Sequence, residues 1–492
     1  MSIKKVVWLF CIQSFFSLLI VTRVDAAPWV DPGDERLRHH LTVLADSGIL
    51  NKPITTWPLM WGAVMEDIWK ADSVSHAANI QWSLDYVEFA FRQASRSFNT
   101  HTYLGWKTDP SIITGFSTDQ REEFEFKSEL DWVGQNFAVR LRGAWINDAI
   151  DGQDARLDGS YLSAIVGNWN FGVGAVDRWW GPGWQNSNIL SSNARPVPAI
   201  MVQRNFSDAF SWPVFSWLGP WTFTAFVGQL ESNREIPSAK LVGARFAFKP
   251  LSYLEIGFSR TAQWGGDNRP QDLSSFWDLV AGNDNVGDDG ISKENQPGNQ
   301  LGAIDVRFGG NLLGTQSALY VQYVGEDESN AFPTRGFYLG GIETAFASAQ
   351  TFHRFYLEYT DTTSGGDNYN TTYEHSVYQS GYRYRGRSLG ASIDNDSKMG
   401  TLAGFHYFGS GDELNWRLHV LDINHDGTNK ANPGGSVFGS DKTETALVEL
   451  GYATIFHDLK VSTTLSYIAD ELTAYGKTIN GTGFSIAIEY KP

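Results

Sequence analysis

Cysteine is almost absent from this sequence. The one cysteine, Cys11, lies within an apolar run near the N-terminus, so the rest of the chain has no thiol with which to form a disulfide framework. Cys11 also comes too early in that run to be the acylated cysteine of a lipoprotein. These absences exclude a disulfide scaffold and a lipid anchor of that kind.

Long apolar helices are also missing beyond the first 26 residues. The mean hydropathy of the chain is −0.27, which excludes a helical membrane protein with several spans. The same average suits a transmembrane β-barrel, because only alternate residues of each strand face the lipid. The chain is 14% aromatic and has 49 glycines, which is typical of outer-membrane barrels.

Positive charge is scarce. The chain has 38 lysine and arginine residues against 55 aspartate and glutamate residues, and its formal net charge is −17. Nucleic acids bind basic surfaces, so this balance argues against a nucleic-acid partner. The HExxH and Walker patterns are absent as well, and the sequence therefore gives no support for a zinc-hydrolase or nucleotide-binding motif.

Residues 1–26 are predicted to be a signal peptide. Lys4 and Lys5 precede an apolar run from Val6 to Val21, and Val24-Asp25-Ala26 forms a cleavage site before Ala27. An N-terminal membrane anchor is the alternative.

Residues 27–97 are predicted to form a small periplasmic helical bundle. Asp31-Pro32-Gly33-Asp34 offers a helix start with Asp31 as the N-cap, and Gly48 ends that helix. A second helix is expected to open at Thr56 and Pro58, and a third to run from about Ala77 to Arg92. A helical hairpin that only tethers the chain is the alternative.

The segment Arg121–Trp145 shows the pattern that organises the rest of the chain. Apolar residues recur at every second position and alternate with charged residues of both signs. The first run sets Phe124, Phe126, Leu130 and Trp132 against Glu123, Glu125, Lys127, Glu129 and Asp131. Each run has about ten residues or more, enough for a tilted strand to cross a bilayer. The charged face is expected to line a wet lumen.

The same alternation recurs as far as the C-terminus, in about twenty runs. The last sets Phe484, Ile486, Ile488 and Tyr490 against small and charged residues. A soluble sandwich or a propeller also alternates, but the sequence lacks the repeat of roughly 40–50 residues that a propeller shows. Residues 98–492 are therefore predicted to form an all-β transmembrane antiparallel barrel.

The connections give a second argument for this class, because outer-membrane barrels alternate short periplasmic turns with long outer loops. Short links are predicted at Val133–Asn136, Gly167–Asn168, Lys249–Ser252 and Phe456–Leu459. Long links are predicted at Asp177–Pro198, Trp264–Asn299 and His425–Thr443. Short and long links alternate without a break only if Ala199–Phe206 is itself a strand, and we predict a strand there.

The loop after the predicted strand Asn170–Asp177 is rich in tryptophan, glycine and amides. It reads DRWWGPGWQNSN from Asp177, and NARP from Asn193. Here the chain resembles the Wzi family of outer-membrane capsule assembly proteins, over nearly its whole mature length. The resemblance implies a barrel of about eighteen strands with a periplasmic helical bundle. It also implies a lectin-like protein whose partners are capsular or extracellular polysaccharide, outer-membrane lipid and the polysaccharide export machinery.

The residue types of this loop also suit carbohydrate binding. The candidate binding residues are Arg178, Trp179, Trp180, Trp184, Gln185, Asn186, Asn188, Arg195 and Arg204. The tryptophans offer flat faces for stacking on sugar rings, the amides can bond to hydroxyls, and the arginines can meet a uronate carboxylate. In the alternative, Trp179 and Trp180 belong to the outer aromatic girdle and the arginines pair with lumenal glutamates. A loop folded into the barrel as a plug is compatible with both.

The sequence gives only weak signals for a metal site. Asp422–Gly427 matches the first half of a calcium loop, but Pro433 stands where the bidentate glutamate belongs. Asn283–Gly290 is acidic and is predicted to be a solvated loop. We therefore predict no metal and no cofactor.

The predicted function is non-enzymatic: an outer-membrane protein that binds and anchors surface polysaccharide during capsule assembly. A porin-like sugar channel is the first alternative, and it differs only in whether the lumen is open. An outer-membrane hydrolase of glycan or lipid is the second alternative, because carboxylates crowd the strands and a glycosidase pair stays possible.

Overall fold

The computed structural model describes residues 27–71, 74–117, 120–281, 292, 296–329, 332–364, 369–429, 435–439 and 441–492. The predicted signal peptide Met1–Ala26, the loop Asn283–Gly290 and Pro433 lie outside the described residues. Within the described residues, a short helical part precedes one closed sheet, and three further sheets have two strands each.

Four helices are present in the described residues, α1 Glu35–Asp46, α2 Trp61–Ala71, α3 Ala78–Ala94 and α4 Leu273–Ala281. None of these helices has the length and apolar character needed to cross a membrane. The first three lie in the predicted helical segments, whereas α4 was not predicted. The predicted opening of the second helix at Thr56 and Pro58 is wrong, because Thr56–Trp57 and Leu59–Met60 are short strands and α2 begins at Trp61. The prediction that Asp31 caps α1 is wrong, because Gly33 has a φ of +117° and interrupts any helix that begins at Pro32. Asp34 is the N-cap and accepts a hydrogen bond from the Leu37 amide at 2.8 Å.

Eighteen strands of the described residues form a closed antiparallel barrel, which confirms the predicted class. They are β1 Phe98–Lys107, β2 Phe124–Val133, β3 Phe137–Asn147, β4 Tyr161–Val166, β5 Trp169–Gly174, β6 Ala199–Arg204, β7 Trp221–Gln229, β8 Lys240–Leu251, β9 Leu254–Trp264, β10 Gly298–Leu312, β11 Thr315–Ser329, β12 Phe332–Ser348, β13 Thr351–Asp361, β14 Lys398–Phe408, β15 Glu413–Ile423, β16 Thr443–Phe456, β17 Leu459–Ala474 and β18 Lys477–Tyr490. The piece Ala155–Arg156 extends β4 along β3. Pairing of β18 with β1 closes the barrel, with Tyr490 opposite Thr102.

Each wall strand has an apolar outer face and a polar inner face, as the alternation predicts. On β2 the side chains of Phe126, Leu130 and Trp132 are exposed, whereas Glu125 and Glu129 are buried. The same division holds around the barrel. A continuous apolar exterior of this size requires lipid around it, so the outer face is the lipid face and the inner face lines the lumen.

Short and long connections separate to the two ends of the barrel. The short-turn end carries the turns at 134–136, 167–168, 252–253 and 457–458, and the long-loop end carries the links 175–198, 265–297 and 362–397. The predicted strand at Ala199–Phe206 is confirmed as β6. Two predicted boundaries are wrong: β5 ends at Gly174 instead of Asp177, and the predicted turn at Lys249–Ser252 lies at 252–253.

The interior of the barrel is occupied by protein. The largest buried cluster combines wall residues with residues of 175–198 and of 362–397. Every residue of α1 from Arg36 to Asp46 is buried, and α1 contacts β10 and β11 from the inside. The division of the chain into a helical bundle at 27–97 and a barrel at 98–492 stays a prediction, because α1 is part of the lumen filling.

A charge on the lipid face tests the assignment of faces. Ile486→Arg, near the middle of β18, places a cation among acyl chains and is expected to cost about 2–4 kcal/mol of folding free energy or to block assembly. The loss is measured by folding the protein into lipid vesicles. Electrophoresis detects the folded fraction, because the unheated barrel migrates faster than the heated chain.

The adjacent residue provides the control. Ser485→Arg faces the lumen and is expected to leave assembly close to that of the parent protein. Equal losses in both variants would contradict the assignment of faces.

Candidate functional site

The tryptophan-rich loop between β5 and β6 folds back into the barrel, and we call residues 175–198 the plug loop. Trp179–Trp180 pairs antiparallel with Thr56–Trp57 of the N-terminal part. Next to this pairing, Gly181 donates its N–H to the carbonyl of Thr55 at 3.0 Å. The plug loop is therefore held by the segment that enters from the short-turn end.

A carboxylate of the barrel wall holds the centre of the plug loop. Glu358 on β13 is 1% exposed, and its oxygens accept hydrogen bonds from the backbone N–H groups of Trp184 at 2.7 Å and Asn186 at 2.8 Å. The hydroxyl of Tyr320 donates to the same carboxylate at 2.8 Å. Buried loop amides have no strand partner, so a carboxylate that accepts from two of them fixes the loop conformation.

A side-chain amide of the barrel wall also binds the backbone of the plug loop, at Asn188 and at Trp180. The side-chain oxygen of Gln322 on β11 accepts from the N–H of Asn188 at 2.7 Å, and its side-chain nitrogen donates to the carbonyl of Trp180 at 2.8 Å. Gln322 thus offers the plug loop the donor and acceptor that a neighbouring strand would offer. The loop is attached to the wall by side chains that project into the lumen.

The three predicted tryptophans lie inside the lumen. Trp179 and Trp184 are 1% exposed and Trp180 is 0% exposed. Phe116 meets Trp179 edge-on, with ring centroids 5.5 Å apart, and Phe226 meets Trp180 edge-on at 5.6 Å. The stacking surface predicted for sugar rings is therefore covered by protein in this structure. The alternative that places Trp179 and Trp180 in the outer aromatic girdle is wrong, because both rings face inward.

Trp184 joins the plug loop to α1. The Arg38 guanidinium lies 4.1 Å from its ring centroid, and the indole N–H donates to Glu343 at 2.8 Å. Arg38 also donates to the carbonyls of Pro182 at 2.8 Å and Gly183 at 2.9 Å. Burial lowers the pKa of Arg38 to about 10, with Glu343 acting in the opposite direction, so the guanidinium stays charged at neutral pH.

An ion-pair network continues from Glu343 along the inside of the wall. Arg307 bridges Asp46 of α1 and Glu343, at 2.7 Å and 2.8 Å, and Arg354 pairs with Glu343 as well. The guanidinium of Arg354 donates to His39 at 3.0 Å. Burial lowers the pKa of the His39 imidazole well below its ordinary value, and Arg354 acts in the same direction. His39 is therefore a neutral acceptor within the network.

The three predicted arginines do not converge on one site. The Arg195 guanidinium pairs with Asp158 at 2.6 Å and Asp151 at 2.5 Å, and these carboxylates raise its pKa although burial acts to lower it. Burial lowers the pKa of Arg178 to about 10, and its guanidinium lies 4.2 Å from a phenylalanine ring centroid. Arg204 is on the outer face at the short-turn end, because its neighbour Gln203 takes the lumenal position of β6. Arg204 therefore lies apart from the other two.

The predicted amides are buried and mostly bonded to protein. Asn186 donates to Thr360 at 3.1 Å, and Gln185 donates to the carbonyl of Thr114 at 3.2 Å. The side chain of Asn188 has no hydrogen-bond partner among the described residues. The assignment of the nine candidates to carbohydrate binding stays a prediction; what the structure shows is that eight of them belong to the plug loop.

A second loop, missed by the sequence analysis, covers the plug loop from the long-loop end. We call residues 362–397 the cap loop, of which 362–364 and 369–397 are described. The hydroxyl of Tyr373 donates to the carbonyl of Asn188 at 2.6 Å, that of Tyr382 donates to Ile189 at 2.9 Å, and the Ser191 N–H donates to Leu389 at 2.8 Å. The available signal was a stretch dense in tyrosine without period-two alternation, which does not suit a wall strand.

The described residues contain no group of three or more histidine, cysteine, aspartate or glutamate side chains arranged to hold a metal ion. In the predicted half calcium loop, Asp422 ends up beside His425, with 2.5 Å between a carboxylate oxygen and Nδ1. The twelfth position of that loop, Pro433, lies outside the described residues.

A family model described as "Capsule assembly protein Wzi" matches residues 92–475, which include strands β1 to β17, the plug loop and the cap loop. The chain belongs to the Wzi family of capsule assembly proteins. The barrel is accordingly an outer-membrane barrel, with the short-turn end and the N-terminal helices on the periplasmic side and the long loops outside.

Two relatives support this family assignment. A solved structure of Wzi from Escherichia coli, described as a carbohydrate-binding β-barrel involved in group 1 capsule assembly, has a TM-score of 0.83 and 27% identity, and the match covers 94% of this chain and 99% of that one. An uncharacterized 55.8 kDa protein in the cps region of Klebsiella pneumoniae is 33% identical over 338 residues, which is 67% of this chain and 64% of that protein. The chain thus matches slightly less than two thirds of the Klebsiella relative.

Removal of the wall carboxylate tests how the plug loop is held. Glu358→Ala leaves the backbone amides of Trp184 and Asn186 without their acceptor. Each unsatisfied buried donor is expected to lower the stability of the docked loop by about 1–3 kcal/mol. Hydrogen exchange at these two amides is expected to accelerate by roughly tenfold to a hundredfold, as the loop opens locally. Exchange followed by mass spectrometry on the assembled barrel measures it.

Two matched variants complete this test. Glu358→Gln keeps one carbonyl oxygen and is expected to give intermediate exchange, whereas Glu444→Ala removes a carboxylate whose side chain is 67% exposed and is expected to leave the plug loop unchanged. Unaltered protection in Glu358→Ala would show that this carboxylate does not hold the loop.

Proposed function

We propose that this protein binds capsular or extracellular polysaccharide at the outer face of the outer membrane and holds it there during capsule assembly, without catalysing a reaction. The observation that carries the proposal is the interlocking of the plug and cap loops across the outer mouth of the barrel. It gives the exterior a fixed protein surface where a channel would have an opening. Family membership and the carbohydrate binding printed for the E. coli Wzi structure support the same conclusion.

The filled lumen favours retention over transport. A sugar channel needs a continuous aqueous path, whereas α1, the plug loop and the cap loop occupy the interior in turn from the periplasmic end to the outer end. Their contacts are hydrogen bonds and ion pairs to the wall, such as those of Glu358 and Arg307. A loop docked in this way is a structural part of the barrel.

We propose that the buried loop residues act by positioning the outer surface. Trp180 and Trp184 fix the plug loop from below, and Tyr373 and Tyr382 bond the cap loop to it from above. The polymer would then meet the exposed polar side chains of the outer loops, while the tryptophans stay covered. Outer-membrane lipid and the polysaccharide export machinery are the further partners that we propose.

Retention of polysaccharide by cells tests this function. Cells that lack the protein are expected to synthesise polysaccharide and to release most of it into the medium, because its holding surface is missing. The measurement is the ratio of cell-bound to soluble polysaccharide, compared with cells in which the full chain is restored.

A plug-loop variant separates retention from barrel assembly. The double variant Trp180→Ala and Trp184→Ala removes two fully covered rings. It is expected to lower the retention of polysaccharide while the barrel still shows heat-modifiable migration. Trp277→Ala on α4, which removes an exposed tryptophan, is the control. Full retention by cells without the protein would overturn the proposed function.

A further inference from the structure

The connection between β6 and β7 departs from the rule of short periplasmic turns. It spans residues 205–220, whereas the links at 252–253 and 313–314 have the length of tight turns. We call residues 209–220 the periplasmic foot. The foot reads AFSWPVFSWLGP and contains no charged residue. A loop in water of this length would normally carry charge, so its composition calls for another environment.

The foot exposes large apolar side chains close together. Trp212 is 61% exposed, Val214 57%, Phe215 41% and Trp217 63%. Trp212 and Phe215 contact each other edge-on, with centroids 5.3 Å apart. A contiguous apolar patch on an otherwise folded surface marks contact with a membrane or a partner.

The foot is fixed against the outside of the barrel. Phe210 stacks on Trp221 of β7, with centroids 4.5 Å apart and planes inclined by 12°, and Trp217 meets Phe248 of β8 edge-on at 6.2 Å. The N–H of Lys249 donates to the carbonyl of Pro220 at 2.8 Å. Stacked rings and a backbone hydrogen bond define one position for the foot on the wall.

Gly219 permits this close approach. It has a φ of +67°, and a Cβ at this position would lie 2.0 Å from the carbonyl oxygen of Lys249. Only glycine combines that backbone conformation with that separation.

The residues under the foot belong to the lipid face. On β7, Thr222 and Thr224 are buried on the lumen side, so Trp221 points outward; on β8, Arg245 bonds to Asp305 inside the lumen, which turns Phe248 outward. The exposed rings of the foot therefore continue the lipid-facing surface of the wall at its periplasmic edge.

We propose that the periplasmic foot inserts into the inner leaflet of the outer membrane and that its occupant is phospholipid. Tryptophan is the residue that membrane proteins place at the interface between acyl chains and headgroups. The foot has no lysine or arginine to select an anionic headgroup, so its contacts are with acyl chains and it binds phospholipids without regard to headgroup charge. It fixes the depth and orientation of the periplasmic end beside the N-terminal helices.

A fluorescent label at a single thiol tests this proposal. Val214→Cys is made in a Cys11→Ser background and labelled with an environment-sensitive nitrobenzoxadiazole dye, and the full protein is reconstituted in phosphatidylethanolamine–phosphatidylglycerol vesicles. Since Val214 is exposed, its replacement leaves the fold intact. The label is expected to emit at shorter wavelength than in water, to be quenched by nitroxide lipids and to be shielded from iodide.

Two further labels calibrate the result. Leu450→Cys on the outer face of β16 gives the response in lipid, and Asp85→Cys on the exposed side of α3 gives the response in water. Insertion is supported if the label at Val214 gives the same response as the label at Leu450, both in these vesicles and in vesicles of neutral phosphatidylcholine alone. A Val214 label whose emission and quenching match those of the Asp85 label overturns the proposal. Shielding that arises only in intact cells would assign the foot to a protein partner, and it would overturn the proposal as well.

Discussion

The structure depends on buried charge that must be matched inside the barrel. Period-two strands place apolar residues in the lipid and leave carboxylates and guanidinium groups on the lumen side, where the lumen filling buries them. Glu358 is satisfied by loop amides, Glu343 by Arg307 and Arg354, and Asp305 by Arg245. The segments that fill the lumen and the charges of the wall therefore stabilise each other, and neither arrangement would hold without the other.

This mutual dependence connects the fold with the proposed role at the cell surface. The N-terminal part supports the plug loop through Thr56–Trp57 and Arg38, and the plug loop in turn supports the cap loop through backbone carbonyls such as that of Asn188. We infer that such a stack holds the outer surface in a fixed conformation, which favours the binding of a long polymer by many weak contacts. In this arrangement the loops form the outer surface, and the wall strands anchor the protein in the membrane.

The sequence predicted the wall well because each wall residue obeys a local rule. Alternation on β2 and β18 and the strand at β6 follow from spacing along the chain. The site was predicted less well, since its contacts are set by pairs far apart in sequence, such as Glu358 with Trp184. The residue types around Trp179 suggested an exposed sugar site, and only the fold shows that these rings are covered. Arg204 lies apart from the other candidates because one strand position decides whether a side chain faces the lumen or the lipid.

Conductance in planar lipid bilayers tests the central claim that the lumen is closed by its own chain. A barrel of this strand number with an open interior would give large, stable current steps. The filled lumen predicts that the purified, assembled protein is nearly silent at moderate voltage, with and without added oligosaccharide. Large, stable steps that sugars block would contradict the account and identify the protein as a sugar channel.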